Sequence, residues 1–319
     1  MENLPIHIAL NMTSACNMDC SYCYQDALNS GKRMSNQVLD SVIEMLNKTD
    51  GQRFRISFFG GEPTLASRGM EYFIDKVNID KVEGFELTTN GTNIDVVNKI
   101  ARMGFDKSGG RVTTGVLVSN KDQRTPHEEL DLDVVDNSYR YIISVDDIDN
   151  VDEQLVSELL DSEFIRVDFR FDYYGNWEDI ETSRVERVIE LLRTFQQATT
   201  RLEFRPPKIF KPVFVKKCPS PHMSIDTNGD IMPCHRMFNS TRGIGQSVGN
   251  IVTEMEAAVA RLQAFHQEMH YSSACIGFNA NIGQTSDTYV LSLGTVEFEE
   301  RSEPMQEGEL QAAIQQSCR

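Results

Sequence analysis

The sequence predicts an α/β protein in which parallel strands are joined by helical crossovers, with a smaller C-terminal unit after them. Two observations carry this. Short runs rich in β-branched and aromatic residues alternate with helix-period stretches from Ile6 to Arg205. At Pro206-Pro207 the alternation gives way to a turn-rich stretch that carries cysteines. A chain of 319 residues has room for one large domain and a smaller one.

The first strand is expected over Ile6–Met12, where apolar and β-branched residues dominate. A helix follows over Ser35–Asn47, opened by Ser35 and carrying apolar residues at three- and four-residue spacing. Strand Phe54–Phe59, helix Ala66–Val77, strand Phe85–Thr89 and helix Asn93–Arg102 continue the pattern. The next clear pairs are strand Tyr139–Val145 with helix Asp152–Leu160, and strand Phe164–Tyr173 with helix Ser183–Gln197. A last strand reads Arg201–Arg205, which makes six strands of this kind. Residues 106–138 fit less well: a Gly-rich stretch, the strand-like Val112–Val118 and an acidic run read as an insertion or lid. Beyond residue 206 a helix is expected over Thr253–His270, then strand-like Thr288–Leu293 and Thr295–Phe298.

Composition narrows the class. Hydrophobic residues make up 40% and charged residues 25%, the balance of a globular chain. No apolar run is long enough to span a bilayer, and the N-terminus lacks the basic start of a secretory signal. A soluble, cytoplasmic protein is therefore expected. The net charge of −17 repels phosphates, which argues against nucleic acid and anionic membrane as primary partners. The seven cysteines are clustered rather than spread as a disulfide framework.

Cys16, Cys20 and Cys23 lie directly after the first strand. Thiolates at spacings of four and three residues can wrap one corner of an iron–sulfur cubane, and three ligands leave the fourth iron open. Zinc, or a few buried thiols, is the other reading of this triplet. A zinc ribbon would show paired C-x-x-C knuckles, yet the next cysteine after Cys23 is Cys218. Gly60-Gly61-Glu62-Pro63 follows the second strand: two glycines allow close backbone approach to a ligand, and an acidic side chain suits an ammonium. Thr88-Thr89-Asn90-Gly91 ends the third strand, and Ser144 and Asp146 end the next clear one. Polar groups at strand C-termini are where a parallel barrel builds its site.

Taken in order, Cys16-x3-Cys20-x2-Cys23 with Tyr22 before the last cysteine, the GGEP stretch at 60–63 and the TNG stretch at 89–91 resemble the radical SAM superfamily. The resemblance implies a partial (β/α)6 barrel across residues 1–206. It implies a [4Fe–4S] cluster on the three cysteines whose open iron binds S-adenosylmethionine (SAM). Reductive cleavage of SAM would give a 5′-deoxyadenosyl radical that takes hydrogen from substrate. SAM contacts are then expected from Gly60, Gly61, Glu62, Pro63, Thr89, Asn90, Ser144 and Asp146, and an electron donor such as flavodoxin or ferredoxin is implied as a partner.

Cys218 and Cys234 flank a hairpin signal at Thr227-Asn228-Gly229-Asp230. Two structural thiols, or zinc with His222 or His235, is the bland reading. The stretch is similar to the SPASM or twitch extension of radical SAM enzymes, which carries auxiliary clusters. On that resemblance Cys218, Cys234 and Cys275 are ligands of a second [4Fe–4S] cluster, with Cys318 a fourth ligand or a free thiol. The chain departs from a full SPASM pattern, because Phe278 stands where a partner of Cys275 would be. The implied division is 1–206 for the barrel, 207–299 for the auxiliary-cluster domain and 300–319 for a polar tail.

Alternation puts Asp168, Arg170 and Asp172 on one face of their strand, opposite Phe169 and Phe171. Arg201, Glu203 and Arg205 share a face in the same way. With helices covering the aromatic side, the charged side faces the barrel lumen, where charges must be paired or met by a ligand. Either these groups bridge one another, or Arg170 or Arg205 holds the SAM carboxylate or a polar substrate. The branch resemblance implies oxidative modification of a peptide or protein side chain. Radical dehydrogenation or rearrangement of a polar small molecule is the alternative, and a non-catalytic iron–sulfur or zinc protein a remote one.

Overall fold

A computed structural model describes residues 5–23, 31–49, 51–119, 129–172, 180–204, 213–215, 222–232, 247–268 and 298–300. Strand β1 (Ile6–Thr13) is followed by helix α1 (Asn36–Lys48), β2 (Phe54–Gly60), α2 (Ser67–Lys76), β3 (Val82–Thr89) and α3 (Ile94–Lys107). Then come β4 (Thr114–Val118), β5 (Val135–Ile143), α4 (Glu153–Asp161), β6 (Arg166–Phe171), α5 (Thr182–Ala198) and β7 (Leu202–Phe204). The C-terminal part contributes β8 (Val213–Val215), β9 (His222–Ile225), β10 (Asp230–Met232), β11 (Gly249–Asn250), α6 (Met255–Glu268) and β12 (Phe298–Glu300). The helix starts follow the sequence. Ser35 caps α1 by accepting from the Val38 amide at 3.3 Å, and Asp152 caps α4 by accepting from the Leu155 amide at 2.9 Å.

One ten-stranded sheet has the order β11-β10-β9-β1-β2-β3-β4-β5-β6-β7, with β1 to β7 parallel throughout. Its outer face is apolar and lies under the helices. Ile8, Leu10, Ile56, Phe58, Phe85, Leu87, Val116 and Tyr139 are buried there. Phe58 stacks on Phe85 with ring centroids 5.7 Å apart and meets Phe73 of α2 edge-on at 6.0 Å. The opposite face carries the polar alternates Asn11, Ser57, Glu86, Arg140, Asp168 and Arg170. A helix-covered sheet thus turns its chemistry to one side and to its C-terminal edge.

Three expectations change. Within residues 106–138, read as an insertion or lid, Thr114–Val118 is a parallel strand of the sheet between β3 and β5, and β5 itself begins at Val135. The turn glycines at 109 and 110 and Gly115 gave this stretch a loop-like composition, and pairing on both sides overrides it. Helix α3 runs to Lys107 rather than ending at Arg102. Gly104 lets the helix pack closely on the sheet, because a Cβ there would lie 2.9 Å from the Phe85 ring. Third, part of the chain beyond residue 206 returns to the sheet, while β8 and β12 pair with each other in a separate two-stranded sheet. Strand β9 pairs in parallel with β1, from His7 opposite His222 to Leu10 opposite Ile225, and β10 and β11 extend the sheet beyond it.

The expected turn between β9 and β10 is present: the Gly229 amide donates to Asp226 O at 2.9 Å, and Gly229 has φ +90°. Asn11 Nδ2 donates to Asp226 Oδ1 at 2.6 Å and fastens this turn to β1. The segment Thr288–Leu293 lies outside the described residues. Among the described residues, no helix is long and apolar enough to cross a membrane.

Candidate active site

The site forms where β1, β2 and β3 end. The loop after β1 is laced at its base. Thr13 Oγ1 donates to Lys32 O at 2.8 Å, the Ser14 amide donates to the same oxygen at 3.0 Å, and the Lys32 amide donates to Ser14 Oγ at 3.1 Å. Cys16, Cys20 and Cys23 stand on this loop, each partly exposed and none in a disulfide. A backbone bond from the Cys23 amide to Cys20 O (3.0 Å) folds its last turn.

The loop after β2 docks directly on it. The Gly61 amide donates to Thr13 O at 2.9 Å, and the Glu62 amide to Ala15 O at 2.8 Å. No side chain fits between them. A Cβ on Gly61 would lie 2.3 Å from Ala15 O, and one on Gly60 would lie 2.4 Å from Thr13 O, with Gly60 already at φ +145°. This is the structural reason for two glycines at 60 and 61.

Glu62 is fully buried and caps the short helix that begins at Pro63. Its Oε1 accepts from the Thr64 amide (3.0 Å), Thr64 Oγ1 (2.6 Å) and Thr89 Oγ1 (2.9 Å), and Oε2 accepts from the Asn90 amide (2.7 Å). The carboxylate thus pins the end of β3 to the end of β2, and in this arrangement it works inside the protein. Asn90 in turn reaches the cysteine loop, with Nδ2 at 2.8 Å from Asn17 Oδ1 and 3.9 Å from Cys16 Sγ. Burial pushes the Cys16 thiol up. Amide hydrogens from Met18, Asn90 and Asn17 pull the other way, while the Glu62 charge adds to the rise. Burial also raises the Tyr22 hydroxyl, beside Cys20.

The residues fit the cluster and SAM that the sequence implies. Three thiols are offered by one loop whose base is fixed by backbone bonds, and the glycine pair keeps the neighbouring loop at van der Waals distance. Among the described residues no three ligating side chains converge tightly enough for a single metal ion. A cubane asks for less convergence, since each thiolate binds a different iron.

The other expected residues fall out as follows. Ser144 Oγ donates to Asp147 Oδ2 at 2.7 Å in the turn after β5, and Asp146 is exposed beside it. Arg170 joins an internal network, the first of the two readings of the charged face. Its Nε is 2.6 Å from Asp168 Oδ1 and its Nη2 is 3.7 Å from Glu203, while Arg140 Nε donates to Asp168 Oδ2 at 2.8 Å. Arg205, Cys218, Cys234, Cys275 and Cys318 lie outside the described residues.

Sequence reasoning missed Arg140, because it weighed β6 and β7 without the register that sets Arg140 opposite Asp168. It also missed His7, Arg55 and Glu86, which meet across β1, β2 and β3 on the polar face. His7 Nε2 is 3.0 Å and Arg55 Nη1 is 3.7 Å from the Glu86 carboxylate. Burial works against that carboxylate, but His7 and then Arg55 outweigh it and hold its pKa below the ordinary value. Period-two alternation in each strand was the available signal.

Asp168 is only 5% exposed. Burial disfavours its charge, yet Arg140 and Arg170 together prevail and lower its pKa. Replacing it by asparagine leaves two guanidinium groups short of their anion, and an expected loss of about 3 kcal/mol follows. A carboxyl whose pKa is lowered by folding stabilises at pH values above its unfolded pKa, roughly 4, and that stability fades as the pH falls through the folded value. Urea unfolding of wild type and Asp168→Asn should therefore differ most above about pH 5 and converge in acid. A gap that does not change with pH would contradict the assignment.

Three comparisons bear on this site. The radical SAM superfamily matches residues 10–122. The cysteine-type anaerobic sulfatase-maturating enzyme of Clostridium perfringens is 33% identical over 97 residues, covering 26% of this chain and 25% of that enzyme. The match thus spans about a quarter of that relative's length. Among solved structures, native anSMEcpe with bound AdoMet and Cp18Cys peptide aligns with TM-score 0.55 and 18% identity, over 86% of this chain and 87% of that one. Streptococcus suis SuiB bound to precursor peptide SuiA aligns with TM-score 0.53 and 13% identity, over 86% and 70% respectively. At such identities the structural likeness is one of fold.

Proposed function

We propose, from the premise that residues 10–122 form a radical SAM domain, that the chain is a radical SAM enzyme acting oxidatively on a peptide or protein side chain. One observation carries the reading: the loop bearing Cys16, Cys20 and Cys23 is bonded through Thr13 and Ala15 to Gly61 and Glu62, and through Asn90 to the end of β3. An arrangement in which three strand ends are locked around three thiols suits a cluster that must hold a second cofactor in register. When bound, the cluster and SAM supply reductive cleavage of the C5′–S bond and a radical able to remove hydrogen from an unactivated carbon.

The chain's own residues prepare that chemistry. Cys16, Cys20 and Cys23 would ligate the first cluster. The backbone at Gly60, Gly61 and Pro63, with Glu62, Thr89 and Asn90 behind it, would line the SAM amino-acid end. Ser144, Asp146 and Arg170 lie along the polar side toward β5 and β6, nearer to where a ribose or carboxylate would lie. Cys218 precedes and Cys234 follows the β9–β10 hairpin in the sequence, and with Cys275 and either Cys318 or substrate they would hold an auxiliary [4Fe–4S] cluster. A flavodoxin or ferredoxin would deliver the electron.

The peptide reading draws support from the peptides bound in the anSMEcpe and SuiB structures. A polar small molecule is the second reading. It is favoured by the charged groups on the inner face, Arg140, Asp168, Arg170 and Glu203 on one side and His7, Arg55 and Glu86 on the other.

The test is anaerobic reconstitution of the wild-type chain, an iron count, and detection of 5′-deoxyadenosine on incubation with SAM and dithionite. About eight irons per chain and formation of the nucleoside are expected. About four irons would remove the auxiliary cluster, and no nucleoside from iron-loaded protein, with candidate peptides present, would overturn the reading.

A further inference from the structure

Cys16 Sγ has two amide hydrogens directed at it, one from the Met18 backbone at 3.4 Å and one from the Asn90 side chain at 3.9 Å. The first belongs to the cysteine loop itself. The second comes from the end of β3, and several bonds fix its direction.

An asparagine amide can be turned over without changing its shape, so its orientation must be read from neighbours whose hydrogens are not in doubt. Here the Thr92 backbone amide, which can only donate, lies 3.0 Å from Asn90 Oδ1. Thr92 Oγ1 is 2.7 Å from the same oxygen. The amide nitrogen must therefore face the other way, toward the cysteine loop. One of its hydrogens goes to Asn17 Oδ1 at 2.8 Å, and Asn17 Nδ2 returns a bond to Thr92 Oγ1 at 2.8 Å. The second hydrogen is left for Cys16. Below this ring the Asn90 backbone amide is anchored on Glu62 Oε2. Asn90 is only 8% exposed, so water screens its dipole little.

We infer that Asn90 is a positioning residue that sets the reduction potential of the cluster held by Cys16, by directing a fixed amide hydrogen at that ligand's sulfur. This rests on the radical SAM reading. Reduction adds negative charge that spreads onto the ligating sulfurs, and a donor aimed at one of them stabilises the reduced state more than the oxidised one. The donor therefore raises the potential and makes electron delivery easier. Its rigid connection to Glu62 couples the same adjustment to the loop at Gly60 and Gly61.

The probe is the full chain, reconstituted anaerobically, with the midpoint of its first cluster followed by EPR during a redox titration. That cluster is identified as the one whose reduced signal changes when SAM is added. Asn90→Asp keeps an oxygen for Thr92 and replaces the donor by a second oxygen facing Cys16. The midpoint is expected to fall far enough that the ratio of reduced to oxidised cluster at the wild-type midpoint drops roughly tenfold, which is ~59 mV for one electron. Asn90→Ser removes the donor without adding charge, and a smaller shift of the same sign is expected. It decides the matter if the aspartate variant does not retain its cluster. A SAM-responsive cluster with an unshifted midpoint in the loaded variants would overturn the inference and leave the proposed function intact. No SAM-responsive cluster in wild type would overturn both.

Discussion

Replacing Cys20 by alanine is expected to reduce 5′-deoxyadenosine formation by at least two orders of magnitude, roughly 3 kcal/mol or more of lost rate, while leaving the fold intact. The two halves of that expectation have separate physical causes. Cys20 lies on a partly exposed loop, and the one backbone bond in its turn, from the Cys23 amide to Cys20 O, is unaffected by the side chain. Its sulfur sits beside the buried Tyr22 hydroxyl, and losing that contact costs on the order of 1 kcal/mol, too little to unfold the chain. The metal side is different. Two thiolates on one short loop hold a cubane poorly, so about four irons per chain should be lost and the SAM-responsive signal with them. Thermal unfolding of the apo protein, an iron count and the nucleoside assay on the same preparation separate the effects. Retained cleavage in Cys20→Ala would show that the first cluster does not use this residue.

Glu62→Gln is the second substitution from which a large effect is expected, and its cause is geometric rather than a matter of charge alone. The two carboxylate oxygens each accept from a main-chain amide, Oε1 from Thr64 and Oε2 from Asn90. A glutamine supplies only one oxygen. Whichever way its amide is turned, an NH2 group faces a main-chain N–H that cannot reverse its role. The Thr64 and Thr89 hydroxyls can rotate to adapt, but the backbone donors cannot. One buried donor is left unpaired with another pointed at it, at an expected cost of about 3 kcal/mol. The same bond anchors Asn90, so the variant should also bind iron less tightly and cleave SAM more slowly, by tenfold or more. Urea unfolding of the apo chain reads the first effect and the nucleoside assay the second. Stability within about 0.5 kcal/mol of wild type would show that the Glu62 bonds are dispensable.

How much of this was legible beforehand varies residue by residue. The ends of β1, β2 and β3 were readable because strand-forming runs stop at residues with distinct chemistry: cysteines after β1, two glycines after β2, Thr89-Asn90-Gly91 after β3. Helix α1 was readable from Ser35 and its apolar spacing. Strand β4 was legible only as a strand-like run at Val112–Val118, not as a member of the sheet, since a five-residue strand with a glycine inside it has weak intrinsic preference and takes its place from neighbours on both sides. The sequence carried α3 only to Arg102, whereas the helix continues through Gly104, where it presses against a ring. The likeness of Glu62 to a ligand-binding acid was visible, but not the four bonds that keep it inside the protein.

The sequence by itself determined the class of fold, the side of β6 and β7 that carries charge, and the three thiols with their accompanying glycines. These are local properties, set by period, spacing and residue type within a few positions. The tertiary structure alone decided that β9 returns to pair with β1, that Arg140 meets Asp168, and that Asn90 turns its amide toward Cys16. Those contacts join residues far apart in the chain. They depend on register and on which donors are left over once the backbone has been satisfied, and no short window of sequence contains that information.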